Sequence, residues 1–285
     1  MVEMLKEPSL LGTGVYLQLV VEIKLLDDAI IRCNEPEEVM THHYKELGNR
    51  FIIPWRKVKG KLRRLVLEKQ RGLGIHAECA LKDDLCLNCP SCLLFGGTGE
   101  TSSAKVSYNI LSRVLGESFI STEKVVAVEN YTQNAVGEKD LKTGQALMTV
   151  LTVPKETVFR GVVTIKDPTK EMASIIYNNL LRLTRIGARS VEWGRVETRI
   201  IGGSLSDRET VSVYNLLQNK DQLENIESMV QTLPGIDESY QTLNGQIPGL
   251  LKDIVEKRGG KEKKSPRGKK AVEPAADEAE TTEES

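Results

Sequence analysis

The stretch Ile53-Pro54-Trp55-Arg56-Lys57-Val58-Lys59-Gly60-Lys61-Leu62-Arg63-Arg64-Leu65-Val66, running on to Arg71, decides how this 285-residue chain is read. Val58, Leu62, Leu65 and Val66 recur at helical spacing and predict a helix over Arg56–Arg71 with one face in a core. The apolar run Phe51, Ile52, Ile53 stops at Pro54 and precedes it. Arg56, Lys57, Lys59, Lys61, Arg63, Arg64, Lys69 and Arg71 face a single acid, Glu68. Cations at a helix start oppose the macrodipole and lower stability. Their placement there points to an anionic ligand such as a phosphate backbone. Gly60 weakens the helix but lets a ligand come close to the main chain. The plainer reading is a solvated helical face.

Outward from this helix, Val15–Leu26 is rich in Val, Leu and Ile. It reads as a strand, apolar on both faces in part and therefore central in a sheet. Ala104–Leu111 is expected as a second strand and Thr157–Ile165 as a third. Asp167 and Pro168 are expected to open a helix that ends at Gly187. Val191–Ile201 is the expected fourth strand. The order βαββαβ predicts an α+β, ferredoxin-like (RRM-like) core. Residues 1–71 supply the first strand and basic helix, and 72–97 a Cys-rich insertion. Residues 98–203 supply the rest of the core, interrupted by an extended hairpin at about 121–153. Residues 204–258 are expected to be mostly helical. The charged stretch 259–285 is too polar to bury a core and reads as disordered.

Four of the five cysteines cluster as Cys79-x6-Cys86-x2-Cys89-x2-Cys92, with His76 just upstream. In a reducing compartment such spacing reads as a metal site rather than a disulfide framework. Four thiolates suit structural zinc, and His76 can replace Cys79 as the fourth ligand. An iron–sulfur cluster is the rival reading, although the usual following C-x3-C-P is missing. An incidental cluster is the third.

Charge is balanced, with 39 Lys+Arg against 40 Asp+Glu. A nucleic-acid binder of this composition must concentrate its basic residues locally. The N-terminal residues carry no signal-peptide pattern, and no stretch is long and apolar enough for a membrane span. A cytoplasmic protein with no membrane partner is expected. There is no GxxxxGK[ST], so no Walker-type nucleotide site is indicated. A later segment interleaves Gly187, Gly194, Gly202 and Gly203 with Arg185, Arg189, Arg195 and Arg199. It offers a second phosphate-facing surface, or simply a helix end followed by a bulged strand.

These segments together resemble the RAMP superfamily of CRISPR-associated proteins. The resemblance rests on Ile53-Pro54 with Val58-Lys59-Gly60-Lys61-Leu62-Arg63, and on Cys89-Pro90-Ser91-Cys92-Leu93-Leu94-Phe95-Gly96. It continues in Ile186-Gly187-Ala188-Arg189 and Gly194-Arg195-Val196. A narrower likeness, to the crRNA-binding backbone subunit of the type I-D effector complex, rests on Asn134-Ala135-Val136, Glu138-Lys139-Asp140 and Val153-Pro154. It extends through Val158-Phe159, Val162-Val163-Thr164, Asp167-Pro168-Thr169 and Asn179-Leu180-Leu181-Arg182.

The resemblance implies a non-catalytic subunit that stacks in several copies along a crRNA beside other effector subunits. Its palm would grip the RNA backbone, and the hairpin would act as a thumb against the guide–target hybrid. Arg56, Lys57, Lys59, Gly60, Lys61, Arg63 and Arg64 are then the candidate contacts. Arg185, Gly187, Arg189 and Arg195 join them, with Asn130, Thr132 and Asn134 in the thumb. Aromatic content is only 5%, so base stacking is not the expected grip. Two enzyme readings stand beside this one. Asp27 and Asp28 lie where some superfamily members place a target-cleaving acid, although adjacent carboxylates more often mark a solvated turn. His42 and His43 could serve a crRNA-processing nuclease as general acid or base. A metal-stabilised interaction module without RNA is the third class.

Overall fold

The computed structural model describes residues 2–32, 40–81, 85–99, 108–125, 129–136, 143–221, 223–247 and 251. The chain begins with β1 (Tyr16–Leu25), β2 (Thr41–Tyr44), β3 (Gly48–Ile53) and α1 (Trp55–Gly72). Then come α2 (Pro90–Phe95), β4 (Gly97–Gly99), β5 (Tyr108–Ile110), β6 (Val114–Gly116) and β7 (Phe119–Ser121). A hairpin of β8 (Glu129–Val136) and β9 (Thr143–Thr152) precedes β10 (Val158–Lys166), α3 (Lys170–Leu181) and β11 (Val196–Ser206). Three further helices follow: α4 (Val213–Leu217), α5 (Glu227–Gln231) and α6 (Ile236–Gln246).

The fold is α+β, built on an antiparallel sheet ordered β11-β1-β10-β7-β3-β2, with β6 also paired to β10. As its composition predicts, β1 is central. Leu17, Leu19, Val21, Ile23 and Leu25 face a core shared with Val58, Leu62 and Val66 of α1 and with Met172, Ile175, Ile176 and Leu180 of α3. Val20, on the other face, packs with Ile120, Val162, Val211, Val213 and Leu216. α6 lies against α3, and its buried Tyr240 donates its hydroxyl to the Val66 carbonyl (3.0 Å) and accepts from Asn179 Nδ2 (3.0 Å). Burial pushes the Tyr240 phenol well above its usual value.

Three expectations need correction. Tyr108–Ile110 pairs with β4 in a separate two-stranded ribbon, and β6 and β7 take the place beside β10. Burial explains the choice: Val114 and Phe119 are 0% exposed, while Leu111 is 77% exposed. Asp167 does not cap α3; Thr169 does, its side chain accepting from the Met172 N–H (3.3 Å). Asp167 instead accepts from the Thr13 hydroxyl and from the backbone N–H groups of Thr13, Gly14 and Val15; burial raises its carboxyl, and these donors, the hydroxyl first, hold it below the ordinary carboxylate value. The fourth strand starts at Val196 rather than Val191, because residues 189–194 turn back onto themselves. In the segment from Ser206 the described residues hold α4, α5 and α6, joined by non-helical stretches. Cys33, the connection at 137–142 and the charged tail lie outside the described residues. Among the described residues no helix is long and apolar enough to cross a membrane.

On the second face of the sheet the buried Gln18 fastens the segment that leads into α4. Gln18 accepts from the Thr210 and Val211 N–H groups (2.6 and 2.9 Å) and donates to the Val211 carbonyl (2.9 Å). Gln18→Leu would leave these main-chain groups without partners. Urea unfolding should show a loss on the order of 2–6 kcal/mol, given about 1–3 kcal/mol for each of the two buried Val211 groups.

Candidate metal centre and basic helix

Local backbone geometry brings the four cysteines together. Leu87 takes a left-handed conformation (φ 53°), which turns the chain between Cys86 and Cys89. Cys89 is the extended N-cap of α2, and Pro90 occupies the first turn. Cys92 then falls three positions on, on the same side of the short helix. All four sulfurs lie within 4.8 Å of one another, and Cys79 Sγ is 3.7 Å from those of both Cys89 and Cys92. A tetrahedral ion with sulfurs at about 2.3 Å sets them about 3.8 Å apart. The four cysteines therefore fit a single metal ion. A four-iron cluster would bind each thiolate to a different iron and hold the sulfurs further apart.

Cys79, Cys89 and Cys92 are buried and Cys86 half-buried. The thiolate of Cys79 is favoured because Cys86, Cys89 and Cys92 all hydrogen-bond to it. Cys92 is pushed up, first by its contact with Cys79. His76 is not in this group; its Nδ1 sits 3.3 Å from the Glu78 carboxylate.

Helix α1 presents three faces. The apolar face, with Val58, Leu62 and Leu65, enters the core. A second stripe, Lys59, Arg63, Val66 and Gln70, lies beside it at i, i+4, i+7 and i+11. Its two later polar members meet the Cys-rich insertion. Arg63 donates from Nη2 to the Gly96 carbonyl (2.9 Å) and sits over the Phe95 ring, 5.7 Å from its centroid. Gln70 Oε1 accepts from the Ser91 N–H (3.2 Å), and Arg71 donates to the Cys79 carbonyl (2.9 Å). Burial lowers the Arg63 pKa, while negative charge on Cys92, Cys79 and Cys89 opposes the shift. Burial, then the charge of Arg63, lowers Lys59.

The third stripe, Lys57, Lys61, Arg64 and Glu68, points away from both, with Arg56 beside it. Arg56 and Arg64 are exposed, and Lys57 and Lys61 half-buried. Gly60 lies on this outer side, and a Cβ there would meet no atom within 4 Å among the described residues.

The glycines of the later segment behave differently. A Cβ at Gly187 (φ 96°) would stand 2.8 Å from the Ile30 carbonyl oxygen, and one at Gly194 (φ 74°) 1.9 Å from that of Ile186. The loop docks on the turn after β1: Ala188 N–H donates to Ile30, and Gly194 N–H to Asp28. Arg185 and Arg195 face each other in a bridge that closes it. Arg195 is exposed, and Arg185 and Arg189 are half-buried. These glycines are explained by the chain's own packing.

Asp27 Oδ1 accepts from the Arg195 N–H (2.6 Å), and Asp28 Oδ1 from the Lys155 N–H (2.8 Å). Both carboxylates thus fasten neighbouring loops. His42 and His43 lie on β2, exposed; His43 Nδ1 is 2.7 Å from Asn49 Oδ1 and the His42 ring stands edge-on to Tyr44. Asn130, Thr132 and Asn134 take alternate positions along β8, in register with Leu151, Thr149 and Gln145 across the hairpin.

Gln70, Ser91, Phe95 and Gly96 escaped the sequence reading as parts of this centre. Gln70 did carry a signal: it is a polar residue i+4 from the apolar Val66, and the fold buries both completely.

A family model described as "Csc2 Crispr" matches residues 43–258. No curated protein matches the chain. Among solved structures, the crystal structure of Thermofilum pendens Csc2 is 18% identical, with a TM-score of 0.55 over 90% of each chain. That likeness is one of fold. A chain of a type IV-B CRISPR complex is 17% identical with a TM-score of 0.48, over 72% of this chain and 100% of that one.

Proposed function

Because this chain belongs to the Csc2 CRISPR family, we propose that it is a non-catalytic backbone subunit of a type I-D effector complex, gripping the phosphate backbone of a crRNA with the outer side of α1. The observation that carries this reading is Gly60. A glycine inside a helix costs about 1 kcal/mol relative to alanine. Nothing described in the chain occupies the space that its missing Cβ leaves open. It lies among Arg56, Lys57, Lys61 and Arg64, so the approach it permits is to an anionic backbone.

Lys59 borders the same surface, while Arg63 is turned toward the insertion. Arg185, Arg189 and Arg195 add positive charge on a loop whose shape their neighbouring glycines already require. The strand order β11-β1-β10-β7, with α1 and α3 on one face, supports a ferredoxin-like palm. The β8–β9 ribbon supports the thumb, with Asn130, Thr132 and Asn134 its contacts to the guide–target hybrid. Stacking of copies along one RNA, beside other effector subunits, follows from the family reading. The cysteine centre is read as structural zinc, because four thiolates close a tetrahedral site and leave no position for substrate. The main-chain bonds of Asp27 and Asp28 favour a fastening role over cleavage.

Protein purified from its assembled complex should carry nuclease-sensitive RNA of uniform length; RNA-free complex would rule the reading out. Gly60→Ala should raise thermal stability slightly, by about 0.5–1 kcal/mol, while weakening RNA binding. Equal affinity in that variant would remove the close-approach argument. In Lys57→Glu/Lys61→Glu, affinity should drop, and the slope of log K against log salt should shrink by roughly 1.4 for two lost phosphate contacts on a single strand. Metal analysis should find one zinc per chain, absent in Cys92→Ser.

A further inference from the structure

We propose that the outer edge of β11 receives an extended segment of a partner protein as an added antiparallel strand, with the segment's basic end at Glu224 and Glu227 and its acidic end at Arg185 and Arg195. This goes beyond the RNA reading and does not depend on it. β11 ends the sheet, and β1 is its ladder partner. Hydrogen bonds fix which of its main-chain groups point outward. The Arg195 carbonyl accepts from the Leu26 N–H on the β1 side, whereas the Val196 N–H turns the other way, to the Thr184 carbonyl (2.8 Å). Main-chain direction alternates along an antiparallel strand, so the N–H and C=O groups of Thr198 and Ile200 also point outward. A register shift opposite Val20 and Val21 changes the alternation, and the Gly203 N–H points outward to the Glu224 carbonyl (3.2 Å). The chain itself thus covers the edge at both ends. Between them, among the described residues, no main-chain partner meets the outward groups of Thr198 or Ile200. An edge of unpaired N–H and C=O groups is a template for another strand.

Two hollows lie along this edge. One, of about 490 Å³, is bordered by Leu26, Leu181, Val196 and Thr198. The other, of about 460 Å³, is bordered by Tyr177, Ile200, Leu223 and Val230. Leu26, Leu181 and Leu223 are three of the seven large apolar side chains that stand exposed among the described residues. Apolar exposure gathered beside a bare edge marks an interaction surface. An added strand would set alternate side chains into these hollows while its main chain bonds to β11.

Charge decides the occupant and its direction. Among the described residues, the charged groups at the second hollow are Glu224 and Glu227, both exposed. At the first, Arg185 and Arg195 stand with Glu197, which Arg199 engages (2.6 Å). Two carboxylates repel a phosphate backbone, so the groove suits a peptide rather than a nucleic acid. An antiparallel strand runs against β11. A Lys or Arg therefore comes first, apolar residues follow at alternate positions, and an Asp or Glu closes the segment. The bridge between Gly203 and Glu224 already has this direction.

The test uses the full chain and two synthetic peptides with blocked ends, Lys-Ile-Thr-Ile-Thr-Glu and its charge-exchanged form Glu-Ile-Thr-Ile-Thr-Lys. Fluorescence anisotropy should show the first binding about tenfold more tightly. Hydrogen exchange resolved to single amides should slow by about tenfold or more at Thr198 and Ile200 when it binds. In Glu224→Lys/Glu227→Lys the preference should reverse, with the second peptide now the tighter. Both residues are exposed, so the fold is not at stake in that variant. No binding of either peptide, or binding that leaves both amides exchanging as before, would overturn the strand addition. A preference unchanged in the double variant would overturn the assigned direction and the occupant with it. If oligouridylate rather than peptide protects the two amides, the groove belongs to RNA and the proposal falls.

Discussion

Helix α1 is the member on which both ends of the molecule's chemistry depend, because three environments compete for its surface. The sheet and α3 take its apolar face, the cysteine insertion takes its flank, and its remaining side is rich in positive charge. No residue in its first turn is acidic. The helix therefore carries cations where its dipole disfavours them. It is held in place by burial and by the insertion rather than by favourable terminal charge. Hydrogen bonds from Arg71 to Cys79 and from Arg63 to Gly96 span the insertion's two ends, so whatever orders the cysteines also fixes the helix.

Much of this was legible because the deciding interactions are local or periodic. The helical spacing of Val58, Leu62, Leu65 and Val66 and the double-faced apolarity of Val15–Leu26 report burial directly. The cysteine spacing within 14 residues works in the same way. The parts that misled are long-range. Asp167 and Thr169 are both competent caps two residues apart, and sequence gives no means of choosing. The choice follows from a contact with Thr13 across 154 positions. Three-residue strands such as β6 and β7 are too short to show periodicity, so the apolar stretch at Ala104–Leu111 drew the assignment away from them. The inward turn of Arg63 depends on a carbonyl 33 residues later.

Two kinds of glycine separate along the same lines. Gly187 and Gly194 have positive φ and carbonyl oxygens where a side chain would begin, so the fold alone requires them. Gly60 has ordinary helical surroundings and open space. In sequence both segments look alike, glycines set among arginines and lysines. Only the neighbouring atoms distinguish a glycine that serves the chain's own packing from one that leaves room for something outside it.

The near-neutral total charge becomes intelligible once α1 is divided by face. At physiological ionic strength the screening length is about 8 Å, so acids elsewhere on the surface barely reduce the potential along one helix. What matters is how many positive groups remain outward, since those turned inward act on other partners. Arg63 sits with the thiols, where a dehydrated guanidinium is stabilised by sulfur charge that water would otherwise screen. Arg56 and Arg64 lie exposed on the other side of the helix, with Lys57 and Lys61 half-buried beside them. The same helix thus sets a guanidinium beside the cysteine insertion on one flank and concentrates positive charge on the other. Its buried faces keep it from rotating and so keep the two groups of charges apart.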